Sequence, residues 1–386
     1  MREKVCIGDL GTIITGKTPS KTNKSYYGNY VAFIKPTDIS EDSKFTYETE
    51  EMYSKLAAEK YKSSLIPKGA ICIPCIGTIG TKMTMTHCAC YTNQSINTII
   101  CNENYDNEYV YYLMKNFLPN LKSYNLGTAS GREFISKSNF EKIEIVEEQN
   151  KNIQKEIGKF LSRYDSLIEN YQKQIKLLEE SAQRLYKEWF IDLRFPGHEN
   201  TKIVDGVPEG WVKKTLDSFC NVFTGKKNAN QGVSNGKYKF FTCGDTPLLI
   251  NSYIYDGPAI IISGNGSYTG RTTFYKGKFD LYQRTYACVM KDMQDENLIY
   301  GLFEIVKCEL TNKISGGTHG AAIPYIVMSD VTKFDFLYEE NIMQRFSSIM
   351  HNILSESLSL LNQIRHLTEA RDRLLPKLMS GEVIVK

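Results

Sequence analysis

Two stretches of the chain carry apolar residues at alternating steps of four and three. In the first, Ile153, Ile157, Phe160, Tyr164, Ile168, Tyr171, Ile175, Leu178, Ala182, Leu185 and Trp189 keep that rhythm. In the second, Phe346, Met350, Ile353, Ser357, Leu360, Ile364, Leu367, Arg371, Leu374 and Leu378 repeat it. Ile157 returns as Phe346 and Trp189 as Leu378, both 189 positions later. Such spacing holds one stripe of a helix against one partner, as in a coiled-coil seam. Each pattern predicts a helix of roughly 35–40 residues, about 50–60 Å long. Phe195-Pro196-Gly197 stops the first, and Pro376 bends or ends the second, with Gly381 just beyond. A dimerising coiled coil would carry the same stripe, but two helices of one chain, equal in length and in phase, can pair with each other.

The segments ahead of the helices also repeat. Lys82 and Thr84 return as Arg271 and Thr273, and Gln94 as Gln283, at an offset of 189. Gly127-Thr128 returns as Gly317-Thr318, while Thr15-Gly16-Lys17 returns as Thr224-Gly225-Lys226 at an offset of 209. The second copy is therefore 20 residues shorter between these anchors. A period this long means duplicated domains rather than a solenoid. Ala70-Ile71-Cys72-Ile73 and Ala259-Ile260-Ile261-Ile262 read as buried strands. Leu126 to Ile145 and Gly316 to Phe336 read as Gly-rich turns followed by short elements. The expected fold is α+β, with two β-rich globular domains, two long antiparallel coiled-coil helices and a pseudo-twofold internal repeat. The boundaries are a first domain over 1–146, a helix over 147–195, a linker over 196–211, a second domain over 212–340 and a helix over 341–386.

Composition narrows the class. The 386 residues are 41% apolar and 24% charged, which excludes a disordered chain. No run of apolar residues is long enough to span a membrane, and the N-terminus lacks a signal-peptide pattern, so the expectation is a cytoplasmic protein with reduced thiols at its ten cysteines. The net charge of +3 gives no bulk argument for nucleic acid. The local distribution does. Leu10 to Thr37 holds four lysines, Lys17, Lys21, Lys24 and Lys35, and no acid; Ser218 to Gly244 holds Lys226, Lys227, Lys237 and Lys239, and no acid. Thr18 and Tyr26, and then Asn228 and Gln231, lie among them, so that lysines can meet phosphates while polar side chains read base edges. Lys82 and Arg271, each just after a Gly-rich turn, extend the expected patch. A pair of solvated surface loops would show the same bias once; its recurrence in both copies favours DNA. Leu167, Leu177, Tyr186 and Leu361 lie outside the seam and either dock partner helices or widen the seam.

Other patterns compete less well. Gly11 to Thr18 fits the phosphate-binding G-x4-G-K-T pattern, but Pro19-Ser20-Lys21 follows where a helix should begin. Cys72, Cys75, Cys88 and Cys90 leave a structural zinc site open against plain thiols. His319 lacks an evident acid or nucleophile partner. No Asn-Pro-Pro-aromatic motif for base amino-methylation exists in the chain. The residues offer no catalytic constellation.

Ala182 to Glu199, in the order AQRLYKEWFIDLRFPGHE, resembles the central conserved region of the DNA specificity subunit of type I restriction-modification systems. Val207-Pro208-Glu209-Gly210-Trp211 resembles the start of its second target-recognition domain, and Arg373 to Val383 its C-terminal signature. Gly77-Thr78-Ile79-Gly80, Asn93-Gln94-Ser95 and Lys137-Ser138-Asn139-Phe140 resemble motifs of the recognition domain; Gly264-Asn265-Gly266-Ser267 and Gln283-Arg284 depart from them in the second copy. The resemblance implies a non-catalytic subunit that binds double-stranded DNA at a bipartite, asymmetric target. It further implies two modification subunits that use S-adenosylmethionine to methylate adenine, and two restriction subunits that make the assembly an ATP- and Mg²⁺-dependent endonuclease. A methylation-only targeting subunit or a DNA-binding regulator without a nuclease is the alternative.

Overall fold

The computed structural model describes residues 2–125, 133–292, 295–315 and 325–385. Gly127-Thr128, Gly317-Thr318 and His319 lie outside the described residues. Two units divide the chain: Met1–Gln172 with Leu361–Lys386, and Lys173–Leu360. Each unit thus takes one globular copy and part of each long helix.

In the first unit the strands are β1 (Arg2–Cys6), β2 (Gly11–Thr15), β3 (Tyr27–Ile34), β4 (Met52–Tyr53), β5 (Ile71–Pro74), β6 (Thr84–Met85), β7 (Tyr91–Thr92), β8 (Ile96–Cys101) and β9 (Glu144–Glu148). The helices are α1 (Lys55–Lys60), α2 (Asn107–Phe117), α3 (Lys137–Glu141) and the long α4 (Lys151–Tyr186). The central sheet has the order β2-β8-β5-β6, with a separate sheet β4-β3-β7 and the pair β1-β9. Strand β5 is buried throughout, as its apolar run predicts. Asp106 caps α2 by accepting from the Tyr109 amide at 3.0 Å, and Tyr109 to Met114 are buried.

The second unit holds β10 (Ile203–Val204), β11 (Val207–Pro208), β12 (Val212–Thr215), β13 (Cys220–Thr224), β14 (Tyr238–Phe241), β15 (Leu248–Ile250), β16 (Tyr255–Ser263), β17 (Thr272–Leu281), β18 (Thr285–Met290) and β19 (Asp335–Tyr338). Its helices are α5 (Leu298–Ser315), α6 (Met328–Thr332) and the long α7 (Glu340–Ser380). The sheet order is β13-β18-β16-β17-β14-β15.

The duplication holds residue by residue. β2 sets Gly11 opposite Cys101 and Thr15 opposite Asn97; β13 sets Cys220 opposite Met290 and Thr224 opposite Tyr286. Ile71 faces Ile99, and Ile260 faces Cys288. A one-residue slip would turn each buried face outward, so apolar alternation holds both copies to one register. The length difference falls between β2 and β5. There the first unit builds β3, β4 and α1, whereas the second extends its own sheet through β14 and β15.

Within each unit the long helices run antiparallel. In the first, Asp165 meets Arg371, while Ile157 and Leu161, earlier in α4, share a core with Leu375, Leu378 and Met379, later in α7. In the second, Trp189 lies 5.9 Å from Phe346, and Ala182 shares a core with Met350. Leu161, fully buried, fills the seam position assigned above to Phe160, which is only half-buried. α4 gives way to a π-type turn over Lys187–Ile191, and Gly197 adopts a φ of 95°. α7 runs through Pro376 to Ser380 and stops at Gly381, whose φ is 79°. Arg2 donates to the Leu378 carbonyl at 2.8 Å near that end. The expected linker contains the β10–β11 hairpin, turned by Asp205 and Gly206 at φ 52° and 78°.

Candidate nucleic-acid interface

The Thr-Gly-Lys repeat ends a strand and starts a loop in both units. Its glycine is required by a close approach: a Cβ on Gly16 would lie 2.1 Å from the Thr92 carbonyl oxygen, and one on Gly225 1.7 Å from that of Leu281. The contact presses each lysine loop onto the turn that leads into β8 or β18. In the first unit the Lys17 amide donates to Thr92 O at 2.9 Å; in the second the Gln283 amide donates to Lys227 O at 3.0 Å. The Thr18 hydroxyl donates to Gln94 Oε1. An aromatic shelf supports the first loop from below. Tyr53 donates to the Lys17 carbonyl at 2.5 Å and stacks on Tyr91 at 4.6 Å, and Tyr27 donates to the Pro19 carbonyl at 2.9 Å. Burial pushes the Tyr53 hydroxyl well above its ordinary titration range, so it stays a donor.

The structure sorts the expected basic residues into exposed and committed ones. Lys17, Lys21, Lys24, Lys226 and Lys237 are exposed and form no ion pair among the described residues. Lys35 is committed to Glu50 at 2.6 Å and Glu51 at 3.2 Å. Lys227 pairs at 2.7 Å with Asp280, a buried carboxylate that also accepts from Ser252 at 2.8 Å. Arg271 pairs with Asp245 at 2.6 Å, donates to the Gly244 carbonyl at 2.6 Å and lies 4.5 Å over the Tyr268 ring. The acid-free stretches are acid-free only in sequence, because these carboxylates arrive from other segments. Lys35, Lys227 and Arg271 therefore hold loops in place instead of adding free positive charge.

The polar residues divide similarly. Gln231 accepts from the Asn228 amide at 2.9 Å and so closes its own short turn. Tyr26 is half-buried, with the Lys60 amine 4.5 Å over its ring. Lys82 lines a cleft with Glu41, Lys115 and Asp372. On the helices, Leu167, Leu177 and Leu361 are exposed by 42%, 61% and 50%. Tyr186, expected among them or in a widened seam, is buried in the second unit's core; its hydroxyl donates to Glu309 and its ring stacks on Phe190.

Gly11 to Thr15 is strand β2, and a single 3-10 turn follows at Lys24–Tyr26, so no helix N-terminus faces a phosphate there. Cys72, Cys75 and Cys90 are buried core thiols, and burial pushes Cys72 and Cys75 up to about 12. No group of three His, Cys, Asp or Glu side chains able to hold a metal occurs among the described residues. No helix among them is long and apolar enough to cross a membrane. The sequence pattern missed the Tyr53–Tyr91 shelf and the placement of Gln94 and Gln283 beside the lysine loops; the repeated glutamine was the available signal.

Comparison with known proteins agrees with this architecture. A family model described as "Type I restriction modification DNA specificity domain" matches residues 2–180 and 208–349. A type I restriction enzyme specificity subunit of Methanocaldococcus jannaschii, MjaIX, is 28% identical over 98% of this chain and 93% of its own. The HindI specificity subunit of Haemophilus influenzae is 38% identical over 37% of this chain and 31% of its own. The crystal structure of a type I S subunit from M. genitalium superposes with a TM-score of 0.64 at 16% identity, covering 98% of this chain and 96% of that one. Two matched domains, each a register-true copy of the other and each joined to halves of two seam-paired helices, make this chain a member of the type I restriction-modification DNA specificity subunit family.

Proposed function

We propose that the chain reads a bipartite, asymmetric duplex target, one half per unit, and docks two modification and two restriction subunits. The observation that carries this reading is the pair of sheets in one register with loops that have diverged in length and composition. A duplex backbone presents equivalent phosphates to equivalent scaffolds, so both units can use one docking mode. Diverged loops then meet different bases, which makes the two half-targets unequal. Lys17, Lys21 and Lys24 in one unit, and Lys226 and Lys237 in the other, supply salt-dependent affinity by displacing counterions. Leu167, Leu177 and Leu361 offer exposed apolar contacts to partner helices. S-adenosylmethionine, ATP and Mg²⁺ belong to the partner subunits in this reading.

Mapping methylated adenines across the host genome, with and without this gene, tests it. The expected result is one asymmetric two-part motif that disappears with the gene. A palindromic motif, or no gene-dependent methylation, overturns it.

A further inference from the structure

The two glutamines that the repeat preserves occupy one structural position. Gln94 is the second residue of a turn closed by the Ile96 amide on the Asn93 carbonyl at 3.2 Å. Gln283 is the second residue of a turn closed by the Thr285 amide on the Tyr282 carbonyl at 2.9 Å. Both turns lead directly into the strand that pairs with the end of the Thr-Gly-Lys strand, in the same register. Both glutamines are exposed, and each sits beside the lysine loop that Gly16 or Gly225 admits. Their turn neighbours differ: Asn93 and Ser95 flank one, Tyr282 and Arg284 the other. The adjoining loop position differs too, with Thr18 holding the Gln94 carbonyl in one unit and Lys227 bound to Asp280 in the other.

Residues that two diverged copies share suit what their targets share, and residues that differ suit what differs. A glutamine amide offers one donor and one acceptor side by side, matching the N7 and N6 edge of adenine in the major groove. The Thr18 hydroxyl occupies one lone pair of Gln94 Oε1 and orients the amide, leaving the second lone pair and the amide N–H groups for a base. We propose that Gln94 and Gln283 are equivalent base-reading residues, each recognising an adenine at the corresponding position of its half-target, beside a phosphate held by Lys17 or Lys226. This rests on the proposed reading of the lysine loops as the DNA face.

The test is methylome mapping in the host, with the full chain in its native complex, for the wild type and for Gln94→Ala, Gln283→Ala and Gln94→Glu. Gln94→Ala should relax the motif at one A·T pair of one half only, and Gln283→Ala at one A·T pair of the other. Discrimination there should fall roughly ten- to a hundredfold. Gln94→Glu should shift the same position from adenine toward cytosine, whose N4 amino group a carboxylate accepts. That shift cannot come from misfolding. An unchanged motif, relaxation at a G·C pair, or relaxation in both halves from a single substitution overturns the proposal while leaving the two-part reading intact. Complete loss of methylation by variants that melt like the wild type also overturns it, because one base contact does not abolish binding. If the wild type itself gives no gene-dependent motif, the underlying reading fails, and this proposal with it.

Discussion

Arg371 donates its guanidinium to Asp165 across the seam of the first unit, and both side chains are 8% exposed. The Tyr112 hydroxyl donates to the same carboxylate, and Arg371 also reaches Asp372 at 2.8 Å. The positions 189 residues away are Leu354, Ala182 and Gly301, so the second unit fills the equivalent place without charge. A buried ion pair roughly breaks even with an apolar replacement, but a buried charge that has lost its partner does not. Arg371→Ala should therefore cost about 3–5 kcal/mol. Asp165→Leu combined with Arg371→Ala and Tyr112→Phe, which removes the charges and the hydroxyl that donates to them, should recover most of that loss. Urea midpoints of the three proteins check it; a combined variant no more stable than Arg371→Ala would show that no unpaired charge is at issue.

Gly158 lies within α4, where alanine would ordinarily gain about 1 kcal/mol in helix propensity. Here a Cβ would stand 2.8 Å from the Tyr109 amide nitrogen and 2.8 Å from Glu108 Cβ. The backbone of α2 cannot yield as a flexible side chain would. Gly158→Ala should lower stability by about 1–3 kcal/mol, against the propensity. A rise in melting temperature would refute the close approach.

Glu304 on α5 is 2% exposed, and burial raises its carboxyl above the usual range, partly offset by Lys307 and a hydrogen bond from Cys308 at 3.4 Å, while Glu179 adds to the rise. A raised folded-state value means that the folded protein holds this proton more tightly than the unfolded chain. Its contribution is complete below the ordinary carboxylate range and is lost as pH rises through the elevated value. Glu304→Gln should thus leave stability nearly unchanged at about pH 4 and raise it at about pH 8. Thermal melts at both ends check the sign; a larger gain at the acid end would reverse it.

Salt dependence separates the free lysines from the committed ones. Each lysine that displaces a counterion contributes about 0.9 to the slope of log affinity against log salt. Replacing Lys17, Lys21 and Lys24 with alanine should reduce that slope by about 2–3. Lys35→Ala should leave it unchanged, because Glu50 and Glu51 already neutralise that amine. Equal effects from Lys35 and Lys17 would contradict the sorting.

Periodicity alone made the helices and the duplication legible, and their seam to within a residue, Leu161 standing in for Phe160 and Ile153 being 39% exposed. A step of three and four permits one buried stripe, and a fixed offset permits one shared scaffold. The buried β5 and β16 strands were legible for the same reason, since an uninterrupted apolar run has nowhere else to go. Charge was not legible, because a carboxylate distant in sequence costs nothing to bring near a lysine once the sheet is folded. Asp280 reaches Lys227, Asp245 reaches Arg271, and Glu50 and Glu51 reach Lys35, only through the folded loops. Tyr186 shows the same limit on a helix: one stripe is set by spacing, but α5, packing from the side, buries a residue that the stripe leaves out. Local patterns are governed by each segment's own geometry, whereas the free and the neutralised charges are settled by which surfaces the sheets bring together.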